Sequence, residues 1–384
     1  ELRSDKPPGQ PLLGVPFYLI GRALGAEPAT GLRGDGDLGL WWQTLWSSMV
    51  PFAALLALMF TMASRFEPRA ALPATLAIGF GTMLLPHAAY LYGHTLAALF
   101  AFGAWCVLDR STGRWSLATT GLLAALGVSV EYHTVVIAVV VFGVALLRWQ
   151  RRAGWLLVGA IPPAIVTAAY QRQAFGHPWR LPYAYYAGKL GAVPTSRGGY
   201  SLPTAHSLVD LIAGKHGLLF LNPVVLVGVA AAVIVWRTTP GDVRMHAAVA
   251  LAVFVPYALL IAGWSGTALL EEPGPRYLIP ALPFLVVPLA RSWSRLRRVA
   301  IVAAAWGAAV MGAGTVTYLF VAPTNAPFRV YFERVVHGEF GTTLWSMAFG
   351  RAGAALYVIA VALATLALRR AGNTRTPHLE SSAT

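Results

Sequence analysis

Long apolar segments separated by short polar connections dominate this sequence and constrain its fold more than any motif does. About eleven such segments lie near residues 42–64, 71–87, 92–108, 115–130, 134–148, 154–170, 217–236, 245–263, 277–290, 299–320 and 351–368. A helix needs about 20 mostly apolar residues to cross a bilayer. Hydrophobic residues make up 57% of the chain and charged residues only 11%, too little polar surface to cover a soluble domain. The sequence therefore predicts an all-α, polytopic membrane helix bundle with about 11 spanning helices.

The arginines predict the orientation of this bundle. They fall in every second connection, and short loops rich in Lys and Arg mark the cytoplasmic side. The cytoplasmic set comprises Arg65 and Arg69, Arg110 and Arg114, Arg148 with Arg151 and Arg152, Arg237 and Arg244, Arg291 through Arg298, and Arg369 with Arg370. These loops lack the aromatic interleaving of nucleic-acid-binding surfaces, so the net charge of +14 does not indicate a nucleic-acid partner. We expect an integral inner or plasma membrane protein.

The connections on the opposite, external side are longer and define the domain organisation. Residues 1–41 form an external loop whose segment 11–24 is too short to cross and ends near Arg22, so it predicts a helix lying in the membrane interface. Residues 42–370 form the transmembrane bundle, with external loops at 171–216 and 321–350 that fold into a cap. Residues 371–384 are expected to be a disordered cytoplasmic tail.

Ionisable side chains are absent from the interior of the apolar segments and collect at their outer ends. Buried charges mark ion and proton pathways in membranes, so this distribution disfavours an ion-coupled pump. Glu131, Tyr132 and His133 occupy one external turn, and His94 opens a helix. A carboxylate beside a phenol and an imidazole can bind a substrate hydroxyl or orient a base. The alternative interpretation is that residues 131–133 form an ordinary turn exposed to solvent.

Two cations are framed by prolines on the external side. Lys6 begins a Lys-Pro-Pro turn and is one of three lysines in the chain, and Arg276 lies in Gly-Pro-Arg-Tyr-Leu-Ile-Pro. A planar guanidinium can hold two phosphate oxygens at once. Lys6 and Arg276 are therefore candidate phosphate ligands, although an interfacial arginine also reaches lipid headgroups simply by snorkelling.

A third external pattern is Lys215-His216-Gly217, where a long loop returns to the membrane. Lys215 and His216 are candidates for contact with an anionic headgroup. His216 and Asp5 together would supply only two metal ligands, whereas a closed zinc site uses four. The sequence thus predicts no metal cofactor and leaves a divalent metal at Asp5 and His216 as an open alternative.

Taken together, these motifs resemble the GT-C superfamily of membrane glycosyltransferases. The resemblance rests on Asp5-Lys6-Pro7-Pro8-Gly9, His94, Glu131-Tyr132, Gly217-Leu218-Leu219-Phe220 and Gly274-Pro275-Arg276-Tyr277-Leu278 with Pro280 and Pro283. Within that superfamily the chain is similar to the branch of the lipid A aminoarabinose transferase and the protein O-mannosyltransferase-like enzymes. The similarity extends along most of the chain in the order of the motifs and in their external placement.

This resemblance implies an inverting glycosyltransferase that takes a sugar from a polyprenyl-phosphate donor at the external face. It gives Lys6 the donor phosphate, Arg276 a second phosphate or sugar contact, and Asp5 a place in a supporting polar or metal site. Members of the family carry their presumed catalytic base early in the first external loop. We expect that base upstream of residue 1, so that this sequence is an N-terminally truncated fragment that lacks the first helix and is inactive on its own.

Two other functions stay open at the level of sequence. A lipid or small-molecule transporter requires a polar path through the bundle, which neutral side chains could line for a neutral solute. A non-catalytic membrane scaffold predicts that Lys6 and Arg276 can be replaced without consequence. The sequence does not identify the sugar, or whether the acceptor is a glycan, a lipid or a protein, because one fold hosts many substrates.

Overall fold

The computed structural model describes residues 6–26, 38–111, 113–182, 201–264, 274–322 and 324–341, together with Phe349, Ile359 and Leu363. Helices account for nearly all of the regular structure in these residues. Their bounds are α1 Gly9–Ala23, α2 Leu38–Ser64, α3 Pro68–Phe80, α4 Leu84–Ala89, α5 His94–Asp109, α6 Arg114–Val130, α7 Val135–Trp149, α8 Trp155–Phe175, α9 Ala205–Ala213, α10 Leu218–Leu221, α11 Pro223–Thr238, α12 Gly241–Ala262, α13 Val286–Arg291, α14 Trp293–Val316 and α15 Pro327–Val336. A 3₁₀ helix, Arg276–Leu285, precedes α13.

The polytopic helical bundle is confirmed, and ten of the predicted apolar segments coincide with helical structure. Within the described residues, four helical stretches are long and apolar enough to cross a membrane, and a fifth qualifies if a bent pair counts as one span: Leu38–Ser64, Tyr132–Phe175, Gly241–Ala262, Trp293–Val316 and the pair Ala205–Leu221 with Pro223–Thr238. The total of about 11 crossings stays a prediction. Nearly all of segment 351–368, and the whole of tail 371–384, lie outside the described residues.

Proline and glycine account for the places where the helices differ from the prediction. Segment 71–87 forms two helices, because α3 ends at Phe80 and the chain turns at Gly81. Gly81 lies close to α14: an added Cβ atom would be 3.0 Å from Cα of Ala304. Segment 277–290 is a 3₁₀ helix as far as Leu285. Pro280 and Pro283 have no N–H to donate to a regular α-helical ladder.

Two glycines fix the closest helix packing in the described part of the bundle. Gly121 of α6 lies against the backbone of Leu156, and Gly159 of α8 lies against the backbone of Ala118. A Cβ at either glycine would overlap the carbonyl oxygen of the facing helix. Membrane helices gain most of their association energy from such close contacts, because the lipid is as apolar as the side chains. This pair of helices thus forms a rigid wall, and the external ends of α6 and α8 are held together.

Ion pairs join the connections that were predicted to be cytoplasmic. Asp109 at the end of α5 lies 2.6 Å from Nη1 of Arg65, 3.9 Å from Nη1 of Arg148 and 3.4 Å from Nε2 of His246. These groups come from four different helices or their ends. Arg291 similarly lies 3.2 Å from Glu67. The arginine-rich connections therefore meet at one end of the bundle, as the alternation of charge along the sequence requires.

Helix α1 occupies the predicted position of the interfacial helix. It covers Gly9–Ala23, two residues earlier at its start than the predicted segment 11–24. Its outer surface carries exposed apolar side chains, including Leu19 and Ile20. The exposed apolar face is the feature expected of a helix that lies in a membrane interface. That location stays a prediction, as do the boundaries of the predicted domains.

Candidate functional site

The Lys-Pro-Pro turn docks on the outer end of α6. Lys6 is exposed, whereas Pro7, Pro8 and Gly9 are buried. Gly9 packs so closely on the backbone of Ser129 that a Cβ would overlap it. Two prolines restrict the backbone and the glycine permits the close approach, so the turn holds the backbone of Lys6 at the outer end of α6.

Arg276 reaches the same place from a distant part of the chain. Gly274 adopts a positive φ of 81°, a conformation that disfavours side chains, and Pro275 follows it. The guanidinium Cζ of half-buried Arg276 lies 4.9 Å from the ring centroid of Tyr277, and Nζ of Lys6 lies 6.0 Å from the same centroid. Both distances are within cation–π range. The structure thus brings the two candidate cations together around one buried tyrosine ring.

A buried carboxylate and imidazole lie beside these cations. Nδ1 of His94 is 3.2 Å from Oε1 of Glu131, although the contact lacks the alignment of a hydrogen bond. The two side chains are 5% and 8% exposed. Gln10 of α1 also lies near Glu131, because both side chains adjoin Gly93. A Cβ atom added to Gly93 would lie 3.3 Å from Oε1 of Gln10 and 3.4 Å from Oε1 of Glu131. Glu131 is therefore a buried acidic group of the site, and the solvated-turn alternative for it is wrong.

Six aromatic rings form a continuous layer around the cations, and we call them the aromatic cluster. His133 stacks on Trp264 at 4.9 Å and lies 4.8 Å from Tyr277, and Trp264 stacks on Tyr277 at 4.7 Å. His94 continues the layer at 5.4 Å from Tyr277. The cluster consists of His87, Tyr92, His94, His133, Trp264 and Tyr277. Such a layer excludes water from one side of the two cations.

Sequence reasoning missed Trp264, Tyr92 and His87 as members of this site. Trp264 directly follows α12, at the point where an external segment begins. Tryptophan and tyrosine are enriched at membrane interfaces, so this position was a usable signal. No local pattern pointed to Tyr92 or His87, because their contact with His94 depends on the break between α4 and α5.

Tyr132 lies next to the cluster but is directed elsewhere. Its hydroxyl accepts a hydrogen bond of 3.1 Å from Nε2 of Gln171 on α8. The side chain therefore joins α8 to the external turn that carries Glu131 and His133. Tyr132 and Glu131 are neighbours in the chain but have different partners, Gln171 and His94.

Lys215 and His216 also have well-defined partners. Nζ of Lys215 donates to the carbonyl of Thr324 at 3.0 Å, and Nε2 of His216 lies 3.1 Å from the carbonyl oxygen of Asn325. His216 is 5% exposed. The backbone of His216 lies beside the segment that leads to Arg276. A Cβ atom added to Gly274 would be 3.6 Å from the carbonyl oxygen of His216.

A metal centre has little support within the described residues. No group of three or more His, Cys, Asp or Glu side chains there is arranged to hold a metal ion. Asp5, the other suggested ligand, lies outside the described residues. One ring nitrogen of His216, Nε2, contacts the carbonyl oxygen of Asn325.

Comparison with known proteins supports the fold. No protein-family profile matches the chain, and no curated protein sequence matches it. Among solved structures, ArnT from Cupriavidus metallidurans, determined bound to undecaprenyl phosphate, aligns with a TM-score of 0.55 at 14% identity. The alignment covers 95% of this chain and 62% of ArnT. This chain therefore shares the polytopic helical fold of ArnT.

Proposed function

We propose that this protein transfers a sugar from a polyprenyl-phosphate donor to an acceptor at the external face of the membrane. The observation that carries the proposal is the convergence of Lys6 and Arg276 on Tyr277, beside buried Glu131, in a chain with the fold of ArnT. The structure of ArnT contains undecaprenyl phosphate. We extend that class of lipid to this chain.

The two cations have a defined role in such a reaction. When the bond between the sugar and the phosphate breaks, negative charge develops on the phosphate oxygens. Lys6 and Arg276 are already in position, so they stabilise that charge without reorganising during the step. Arg276 supplies a bidentate donor and Lys6 a compact point charge. Asp5, which directly precedes Lys6, is proposed as a supporting polar group.

Glu131 and His94 are proposed to hold the sugar. A carboxylate accepts hydrogen bonds from hydroxyl groups, and its burial makes each of those bonds stronger than in water. His94 lies 3.2 Å from the carboxylate and limits the space in which it can turn. Tyr132 holds the same turn in place through Gln171, and Lys215 with His216 secures the backbone near Gly274. These last three residues are positioning residues.

The external location of the reaction follows from the charge distribution. The arginine-rich connections meet at the opposite end of the bundle from Lys6 and Arg276. Under the positive-inside rule that end is cytoplasmic. The donor headgroup and the site are then at the level of the external leaflet.

The test is a transfer assay on the full-length protein in membranes, with a panel of pentoses and hexoses linked to undecaprenyl phosphate. We expect Lys6→Ala and Arg276→Ala each to lower the transfer rate at least about 100-fold, in the range found for removal of one transition-state donor. Arg22→Ala, which removes an arginine near the end of α1, is the control and should leave the rate unchanged.

The alternatives predict different results in the same membranes. A transporter would move a labelled solute across the vesicle wall with no new glycosidic bond. A scaffold would tolerate both substitutions. If Lys6→Ala and Arg276→Ala transfer sugar at the rate of the unmodified protein, the proposed role of the two cations is wrong.

A further inference from the structure

A basic and aromatic surface lies at the end of α6 and α8 opposite the candidate site. Arg114 and Trp115 begin α6, Trp155 begins α8, and Arg151 and Arg152 lie in the short 3₁₀ helix that joins α7 to α8. We call these five residues the basic-aromatic patch. The three arginines are exposed, and Trp115 is 68% exposed. The patch therefore faces the surroundings of the protein.

The guanidinium of Arg114 lies against two indole rings. Its Cζ is 5.3 Å from the ring centroid of Trp115 and 5.6 Å from that of Trp155, and the two centroids are 6.1 Å apart. Both contacts are within cation–π range. Within the described part of the chain, no hydrogen bond or ion pair uses the N–H groups of Arg114. The rings thus position a planar donor that can bind two oxygens of a phosphate.

The positive charge of the patch has no carboxylate to balance it nearby in the chain. Asp109 is the only carboxylate in residues 68–130, and residues 132–209 contain none. The Asp109 carboxylate already pairs with Arg65 at 2.6 Å and lies 3.9 Å from Arg148. No ion pair between described residues includes an arginine of the patch. The patch therefore attracts an anion from outside the protein.

The patch also lies at the depth of lipid headgroups. Helix α6 has 17 residues, a length of about 26 Å at 1.5 Å per residue, and the hydrocarbon core of a bilayer is about 30 Å thick. Glu131 follows one end of this helix and Arg114 begins the other. Val158 and Ile161, one and two turns into α8 from Trp155, are 49% and 51% exposed. Apolar surface for acyl chains thus adjoins the patch.

We propose that the basic-aromatic patch binds the headgroup of an anionic phospholipid in the leaflet opposite the candidate site. The inference is independent of the proposed function. Arg114 binds the phosphate oxygens, and Arg151 and Arg152 add positive charge that favours a lipid with a net negative headgroup over a zwitterionic one. The two tryptophans lie at the interface, where indole rings are enriched. The bound lipid holds the closely packed α6 and α8 at one depth in the membrane.

The test measures lipid binding to the full chain in detergent by native mass spectrometry, with phosphatidylglycerol and phosphatidylcholine as the two probes. We expect phosphatidylglycerol to bind at least about fivefold more tightly than phosphatidylcholine. Arg114→Gln should weaken binding of phosphatidylglycerol at least about fivefold and leave binding of phosphatidylcholine unchanged. Arg244→Gln removes an exposed arginine from the first turns of α12, at the same end of the bundle, and is the matched control. It should change both affinities by less than about twofold, because only Arg114 is positioned by the two indole rings.

Two further measurements separate the lipid from other anions and the patch from the candidate site. Glycerol 3-phosphate carries a phosphate without acyl chains, and an excess of it should leave phosphatidylglycerol bound. Lys6→Ala, at the other end of the bundle, should bind phosphatidylglycerol as the unmodified protein does. Trp115→Leu removes one of the two rings at an exposed position and should also weaken binding of phosphatidylglycerol. This second variant tests the patch without changing the net charge of the protein.

Several results would overturn the proposal. Equal loss in Arg114→Gln and Arg244→Gln would mean that phosphatidylglycerol responds to net charge alone. Equal binding of the two phospholipids by the unmodified protein would mean that the patch does not select a headgroup. Displacement by glycerol 3-phosphate would make the patch a site for free anions. Loss of phosphatidylglycerol in Lys6→Ala but not in Arg114→Gln would place the lipid at the candidate site. Failure of sugar transfer in Lys6→Ala concerns only the proposed function and leaves the patch standing.

Discussion

Glu131 and His94 form a carboxylate–imidazole contact of 3.2 Å that is almost wholly buried, with Glu131 at the end of α6 and His94 at the start of α5. A carboxylate is costly to bury without partners that compensate its charge. The nearby Lys6 turn, docked on Ser129 through Gly9, provides a cation close to this pair. The buried carboxylate of Glu131 therefore lies close to a cation and an imidazole that can compensate its charge.

We predict that Glu131→Gln lowers sugar transfer by about 100-fold, the loss expected when a substrate is misplaced by a small distance. The glutamine side chain has the volume of glutamate, but it is neutral and carries an NH₂ donor in place of one acceptor oxygen. Thermal unfolding of the variant should stay close to that of the unmodified protein. A transfer rate within twofold of the original would show that Glu131 has no role in holding the sugar.

The ring of Tyr277 is expected to organise both cations. Tyr277→Phe keeps the aromatic face and should bind undecaprenyl phosphate within about twofold. Tyr277→Leu removes the face, and with two cation–π contacts of about 0.5–2 kcal/mol each we expect binding at least about tenfold weaker. Binding should be measured on protein shown to be folded, because Tyr277 is buried. Equal binding by Tyr277→Leu and Tyr277→Phe would contradict this role.

The glycine contacts between α6 and α8 make a prediction about stability. Gly159→Ala places a methyl group on the carbonyl oxygen of Ala118 and should destabilise the bundle by about 1–3 kcal/mol, as overpacking does. Gly143 of α7 has open space around it. Gly143→Ala should therefore be neutral or stabilising by up to about 1 kcal/mol through helix propensity. Unfolding in detergent compares the two, and equal melting temperatures would contradict the packing described here.

The cluster of ion pairs around Asp109 gives a fourth prediction. The carboxylate is 7% exposed and contacts Arg65, Arg148 and His246. Asp109→Asn leaves these groups without their negative partner and should cost about 1–3 kcal/mol, below the full cost of a buried pair because Arg65 is 39% exposed. Asp242, which is exposed, is the matched control. Transfer of sugar by the folded fraction of Asp109→Asn should be unchanged, since the cluster lies at the opposite end from the site.

Much of the architecture was predictable because membrane helices leave strong signals in composition and in the placement of arginine. Helix ends were less predictable where proline and glycine act through tertiary contacts. The break at Gly81 depends on its approach to Ala304, and the 3₁₀ helix depends on how Pro280 and Pro283 are accommodated by a buried segment. Neither effect can be derived from hydropathy alone.

The site was also partly predictable from the sequence. Lys6 and Arg276 stand out because each is a rare or rigidly framed cation on the external side. The proximity of the two is a property of the fold, since 270 positions of sequence separate them. The hydrogen-bond partners of Lys215 and His216, the carbonyl groups of Thr324 and Asn325, lie more than 100 positions away and could not be seen in the sequence.

The most direct test of the central claim compares undecaprenyl phosphate with undecaprenol, which has the same tail and no phosphate. Binding of both should be measured by native mass spectrometry on the full-length protein and on Lys6→Ala, Arg276→Ala and the control Arg22→Ala. We expect each site variant to bind undecaprenyl phosphate at least tenfold more weakly and undecaprenol unchanged. Undiminished preference for the phosphorylated lipid in Lys6→Ala and Arg276→Ala would contradict the account.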